Sequence, residues 1–248
     1  MTVSKNPLAF DKVNVVAFYE ANLMYPNFDA LLQTILTKVN ILFDPGSATY
    51  YNGKVLYGGC PRLITQTNLW ESDIEFGYKY YKDDSYNENN LAYCTSNVIE
   101  KFKKNPFYKD DYDVNILCFA KNIYSENPAT KEKTAVSGTA NTDASRKTVL
   151  LSVGEQFRDI KSVIEYDIQE MYNFLMEWVL THELLHFHPI WAGGHCDNQV
   201  PFCTMKSKNG FLFKHNIDDA RETFLDGKSG LCPKCMEKLT EYNNNLSH

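Results

Sequence analysis

Residues 181 to 198 read THELLHFHPIWAGGHCDN and hold four of the chain's six histidines. Within them, His182, Glu183 and His186 spell H-E-x-x-H. On a helix, residues four apart project from one face about a turn apart, so both imidazoles can bind one zinc ion. The glutamate then lies beside the open coordination position. Zinc lowers the pKa of its bound water to about 7, and the glutamate can take the proton as that water attacks a carbonyl. The plainer reading is two partly buried histidines that fall together by chance. The motif's place near the end of the longest expected helix, just before a turn-rich segment with further ligands, favours zinc.

Four residues compete for the third ligand position: His188, Asp197, Glu222 and His195. His188 stands two residues beyond His186 and points to a different helical face, so it is expected to be a solvent-exposed bystander. Asp197 could ligate through its carboxylate, and Glu222 in DDARETFLD would match a glutamate supplied by a later helix. His195 follows Gly193-Gly194, a pair that permits a sharp chain reversal, and it is the favoured candidate.

A second set of ligands follows closely. Cys196 and Cys203 are spaced C-x6-C, and Cys232-Pro-Lys-Cys235 is a C-x2-C knuckle. Such a knuckle commonly presents two thiolates to a tetrahedral zinc, and two pairs suit a closed structural site. Cys60, Cys94 and Cys118 are scattered through the first half and read as small core residues, Cys118 above all because it sits in an apolar run. Seven cysteines make an odd number for a disulfide framework, and in a reducing compartment the clustered four are better read as metal ligands.

The elements that must position these groups follow from hydrophobic periodicity. From Glu165 to His188, Ile168, Met171, Leu175, Trp178, Val179, His182 and His186 recur at helical spacing, and Pro189 ends the helix. KVNVVAFYE (12–20), DVNILCFA (113–120) and RKTVLLSV (146–153) read as strands, with a short strand in KTAVSGTA (133–140). FDALLQTILTKV (28–39) reads as a helix with Asn27 as its N-cap, and ILF (41–43) as the start of another strand. Asn52-Gly53 marks a type I′ hairpin turn, and residues 76–90 a polar, tyrosine-rich surface loop. NLAYCTSNVIEKFKKN (90–105) reads as a helix capped by Asn89 or Asn90, its lysines forming a solvated C-terminal end. This order gives an α/β (α+β) sheet domain followed by an irregular C-terminal part. One domain over 1–248 is expected, with subdomains 1–188 and 189–248.

Composition excludes other classes. The 248 residues are 44% hydrophobic and 23% charged, with 31 acidic against 25 basic side chains and a net charge of -6. An acidic balance disfavours a broad phosphate-binding surface, so nucleic acid is not an expected partner. No window approaches the roughly 18–20 apolar residues of a membrane span. MTVSKNPLAFDKVN has no signal-like apolar region, and a cytoplasmic location is the expectation.

With these residues assembled, the chain resembles the archaemetzincins, a branch of the metzincin zinc metallopeptidases. That family shows H-E-x-x-H-x-x-G-x-x-H-C, then C-x-M, then C-x-x-C. Here one finds His182-Glu183, His186, His195-Cys196, Cys203-Thr204-Met205, and Cys232 with Cys235. The resemblance is strong from about residue 113 to 240 and faint before. It implies that His182, His186 and His195 hold a catalytic zinc with Glu183 as general base and acid. It implies a structural zinc on Cys196, Cys203, Cys232 and Cys235, with Met205 as the Met-turn methionine beneath the active site. The implied fold is a twisted mixed sheet with an active-site helix and a zinc-stapled C-terminal subdomain. An edge strand near 134–140 would pair with extended peptide substrate. In one respect the chain departs: eight residues separate His186 from His195 where the family has five, and no glycine stands third after His186. This reads as a three-residue insertion, its turn made by Pro189 and Gly193-Gly194.

The expected function is that of a zinc-dependent metallopeptidase acting on a peptide or protein substrate, with two zinc ions per chain, one catalytic and one structural. A zinc-bound water activated by Glu183 would hydrolyse the peptide bond. The alternative is a catalytically weak, zinc-stabilised peptide- or protein-binding module, for which Glu183 has no chemical use. A zinc-ribbon nucleic-acid binder is the weakest reading, given the acidic charge.

Overall fold

The computed structural model describes residues 10, 12–17, 28–43, 48–51, 54–57, 62–67, 79–80, 91–119, 122–142, 147–152, 168–197, 203–206 and 230–246. Its centre is a five-stranded mixed sheet in the order β10-β11-β7-β1-β4. The strands are β1 (Lys12–Ala17), β4 (Arg62–Thr67), β7 (Val114–Phe119), β10 (Gly138–Asn141) and β11 (Thr148–Ser152). Four run parallel, and β10 lies antiparallel to β11 at the sheet edge.

Central strands buried on both faces read as continuous apolar runs, and VNILCF in β7 is buried at all six positions. Side chains alternate between the faces. Val13, Val15, Ile116, Cys118, Val149 and Leu151 turn to one side, where they pack against α1 (Phe28–Phe43) and α3 (Ile168–Leu185). Val16, Leu117, Phe119 and Leu150 turn to the other, where α2 (Thr95–Lys103) supplies Val98, Ile99 and Phe102. The result is a mixed α/β fold with helices on both faces. Lys38 of α1 pairs with Glu177 of α3, which ties those two helices together. The first core also takes in Cys203, Met205, Cys232, Cys235 and Leu239, so it runs unbroken into the C-terminal part.

A second sheet has the order β5-β6-β8-β9: Lys79–Tyr80, Leu91–Cys94, Asn122–Glu126 and Lys133–Val136. β2 (Ala48–Tyr51) and β3 (Lys54–Tyr57) pair antiparallel with Tyr51 opposite Lys54; Asn52-Gly53, read as a hairpin turn, lies outside the described residues. The C-terminal part, read as irregular, holds a 14-residue helix, α4 (Pro233–Leu246). Pro233 suits a helix's first turn, where its missing N–H would have had no partner.

Several local expectations are corrected. ILF at 41–43 does not open a strand but completes α1. Val39, Leu42 and Phe43 continue the helical stripe begun by Leu32, Ile35 and Leu36, and the Asn40 amide clasps the Phe10 backbone through both its oxygen and its nitrogen. LAYC at 91–94 is a strand rather than the first turn of a helix, paired parallel with β8. α2 therefore starts at Thr95 with Cys94 at the N-cap, not Asn89 or Asn90. Residues 133–140 form two strands rather than one: the chain leaves the second sheet at Val136 and joins the first at Gly138. α3 ends at Leu185, three residues short of His188, and Pro189 opens a 3-10 turn, Pro189–Trp191. Asn27, most of the 76–90 loop, Cys60 and Glu222 lie outside the described residues.

Candidate metal centre

His182 and Glu183 sit on the last turn of α3. His186 follows on a tighter continuation in which Phe187 N–H donates to Leu184 O at 3.1 Å and His188 N–H to Leu185 O at 2.9 Å. The His182 and His186 Nε2 atoms are 3.2 Å apart. Two ligands of a tetrahedral zinc with bonds near 2.05 Å would stand about 3.3 Å apart. Their Nδ1 atoms are already committed: His182 Nδ1 donates to Thr204 O at 2.5 Å and His186 Nδ1 to Trp191 O at 2.9 Å. Carbonyl partners of this kind fix the tautomer and turn Nε2 toward a metal.

The turn that follows α3 brings in His195. His188 has the extended conformation, φ -80° and ψ 135°, that a following proline favours. The 3-10 turn then reverses the chain, with Gly194 N–H donating to Trp191 O at 3.1 Å. Gly193 has φ 77°, a left-handed conformation that glycine adopts without cost. The His195 ring lies 5.3 Å from that of His182 and 5.0 Å from that of His186, centroid to centroid. One ligand atom from each of the three histidines lies within 4.8 Å of the other two. Of the three candidates among the described residues, His188, Asp197 and His195, it is His195 that lies beside His182 and His186. Asp197 is exposed and pairs with Lys234 at 3.1 Å.

His188 is corrected. It does turn away from the histidine cluster, but it is fully buried, not solvent-exposed. Its ring packs on Phe43, Trp191 and Tyr242 at 5.2, 5.5 and 4.7 Å, and its Nδ1 accepts from Ile190 N–H at 3.3 Å. The far side of the helix end is covered by α1 and α4, a fact no local periodicity contains.

Burial sets the protonation states. It lowers His182 to about 3 despite the Thr204 carbonyl, and it lowers His186 and His195 as well. Three neutral imidazoles are ready ligands, because no proton has to be displaced first. Glu183 is 7% exposed; burial pushes its carboxyl up to about 8, against the opposing pull of the Ala140 N–H.

The four cysteines form a separate cluster. Cys196 and Cys232 have sulfurs 3.7 Å apart, as do Cys203 and Cys235, and all four sulfurs lie within 4.8 Å of one another. A tetrahedral zinc with bonds of 2.3 Å would set its sulfurs about 3.8 Å apart. The start of α4 presents Cys232 and Cys235, and the positive end of a helix favours thiolates. The contact with Cys235 draws Cys203 down to about 5, helped by the Cys232 and Met205 N–H groups, while the same contact pushes Cys235 up. Both clusters thus fit zinc in donor type and spacing.

Two partners escaped the sequence reading: the carbonyls of Thr204 and Trp191, which orient His182 and His186. Backbone carbonyls are common to every residue, so nothing in the side-chain pattern marks them. Met205 is fully buried in the core directly after Thr204.

No family model matches the chain, and no curated protein matches it. Two solved structures are similar to it. One is the crystal structure of archaemetzincin from Methanopyrus kandleri, 16% identical, covering 97% of each chain with a TM-score of 0.49. The other is a zinc-dependent peptidase from Methanocorpusculum labreanum, 15% identical, covering 92% of this chain and 99% of that one with a TM-score of 0.48.

Proposed function

We propose that the chain is a zinc-dependent metallopeptidase whose catalytic zinc is held by His182, His186 and His195. A second, structural zinc is held by Cys196, Cys203, Cys232 and Cys235. The observation that carries this reading is the convergence of three neutral imidazoles, two oriented through Nδ1 by carbonyls, next to a buried carboxyl. A closed structural site has four protein ligands, whereas three leave a position for a reactant. When bound, zinc supplies Lewis acidity that makes water acidic near neutral pH and polarises a carbonyl.

The chain's own groups do the rest. Glu183 takes the proton from the attacking water and passes it to the leaving amine nitrogen. Its low exposure keeps bulk water from competing for that proton. β10 borders the site and is an edge strand of its sheet among the described residues. Its outward peptide groups suit an extended peptide added as a further strand, and the substrate is accordingly a peptide or protein.

The test compares hydrolysis of a peptide library by zinc-loaded wild type and by Glu183→Gln. We expect wild-type cleavage that chelation abolishes, and a loss of at least a hundredfold in kcat in the variant with its zinc content unchanged. Equal activity in both, or none in either at full zinc loading, would sink the reading.

A further inference from the structure

We propose that Gly138 is a positioning residue for Glu183, leaving the space in which the carboxyl lies against β10; the role assigned to Glu183 rests on the function proposed above. Gly138 is opposite Leu151 in the antiparallel pair of β10 and β11. Its φ is not among the positive values of the described residues, which fall at Lys131, Gly193 and Gly230, so backbone conformation does not demand a glycine there. Glycine inside a strand weakens it and often marks a close approach of another group. Here the group is Glu183. A Cβ at position 138 would stand 3.0 Å from Glu183 Cγ, 3.0 Å from Glu183 Oε1 and 3.0 Å from Val179 Cγ1.

Two residues further along the same side of the strand, the Ala140 N–H donates to the Glu183 carboxyl. The side chain is therefore held at two points: hydrogen-bonded at Ala140 and seated in the gap at Gly138. A methyl group at 138 pushes the carboxyl away by a few tenths of an ångström or lifts β10 off α3. Small misplacement is expensive in catalysis, because proton transfer needs the acceptor within hydrogen-bond reach.

The experiment uses Gly138→Ala in the full, zinc-loaded chain and has two readouts. First, kcat on a cleaved peptide should fall roughly tenfold, with KM within about twofold and two zinc ions retained. Adding Val179→Ala relieves one of the three contacts and should not restore kcat. Restoration would show that the methyl acts through the helix and overturn the proposal, as would an unchanged kcat in Gly138→Ala. Second, urea unfolding measures whether the two residues are coupled, independently of activity. Gly138→Ala should raise the unfolding constant several-fold when Glu183 is present. With Glu183→Ala the increase should be clearly smaller, since only the Val179 contact remains and alanine restricts the unfolded chain more than glycine. Equal effects in the two backgrounds would overturn the proposal. A wild type that binds zinc but cleaves nothing would instead remove the peptidase reading, and the unfolding cycle would still decide the contact.

Discussion

The backbone N–H of Cys196 donates to the carbonyl of Met205 at 2.7 Å, and this bond joins the two segments that serve both clusters. His195 and Cys196 are neighbours that belong to different clusters. Cys203 and Thr204 are neighbours too: one gives a thiol to the sulfur cluster, the other a carbonyl to His182. The two clusters therefore share a frame. Disrupting the sulfur cluster, by Cys232→Ser with Cys235→Ser, should weaken zinc binding at the histidines about tenfold, within the usual range of coupling between sites. Chelator competition, or cobalt absorption at the histidine site, reads the effect. An unchanged affinity would show the frame to be rigid without its sulfur cluster.

Metal analysis gives a simpler expectation. The wild type should carry two zinc ions per chain, and His182→Ala with His186→Ala should carry one. Retention of two would mean that the histidines hold neither.

His188 makes a pH-dependent contribution. Burial lowers it from 6.5 to about 4, and Tyr242 is the titratable side chain packed on its ring. The unfolded chain binds the proton more readily, so protonation favours unfolding. Stability is complete above about 6.5, declines as pH falls, and has lost this contribution below about 4. Urea unfolding of the wild type should therefore lose stability across that window relative to His188→Phe. A difference between the two proteins that stays constant with pH would mean that His188 is not held neutral.

Cys118 offers a test of the core. It is fully buried, and burial pushes its thiol up to about 12. A thiol reagent in mildly alkaline buffer should leave it untouched in the native protein and modify it on denaturation. Rapid native modification, mapped by peptide mass, would place it at the surface.

Where the sequence was readable, the reason is that local pattern and tertiary role coincide. β1, β7, β11 and α3 carry apolar runs or stripes that suit their burial, and Gly193 stands where the chain must reverse to deliver His195. Where reading failed, the deciding partner lies far along the chain. LAYC looks like the head of a helix until β8 pairs with it. ILF looks like a strand until Leu42 and Phe43 continue α1's stripe and Phe43 meets Phe10 and His188. Helical spacing puts His188 on the side away from His182 and His186, but whether that side is wet depends on Tyr242, 54 positions later (242 minus 188). Gly138 is an unremarkable strand glycine until Glu183, 45 positions later (183 minus 138), is laid across it.

The clasp between Asn243 Nδ2 and the Leu42 carbonyl, 3.1 Å across 201 positions of chain, also bears on the order of assembly. A chain is synthesised from its N-terminus, and its earlier parts begin to fold first. His195 leaves the ribosome 37 residues before Cys232 (232 minus 195), and α4 arrives last to close on α1. Over that interval the three histidines and Cys203 have been made while Cys232, Cys235 and α4 have not, so the sulfur cluster and the contact of α4 with α1 are completed later than the histidine segment.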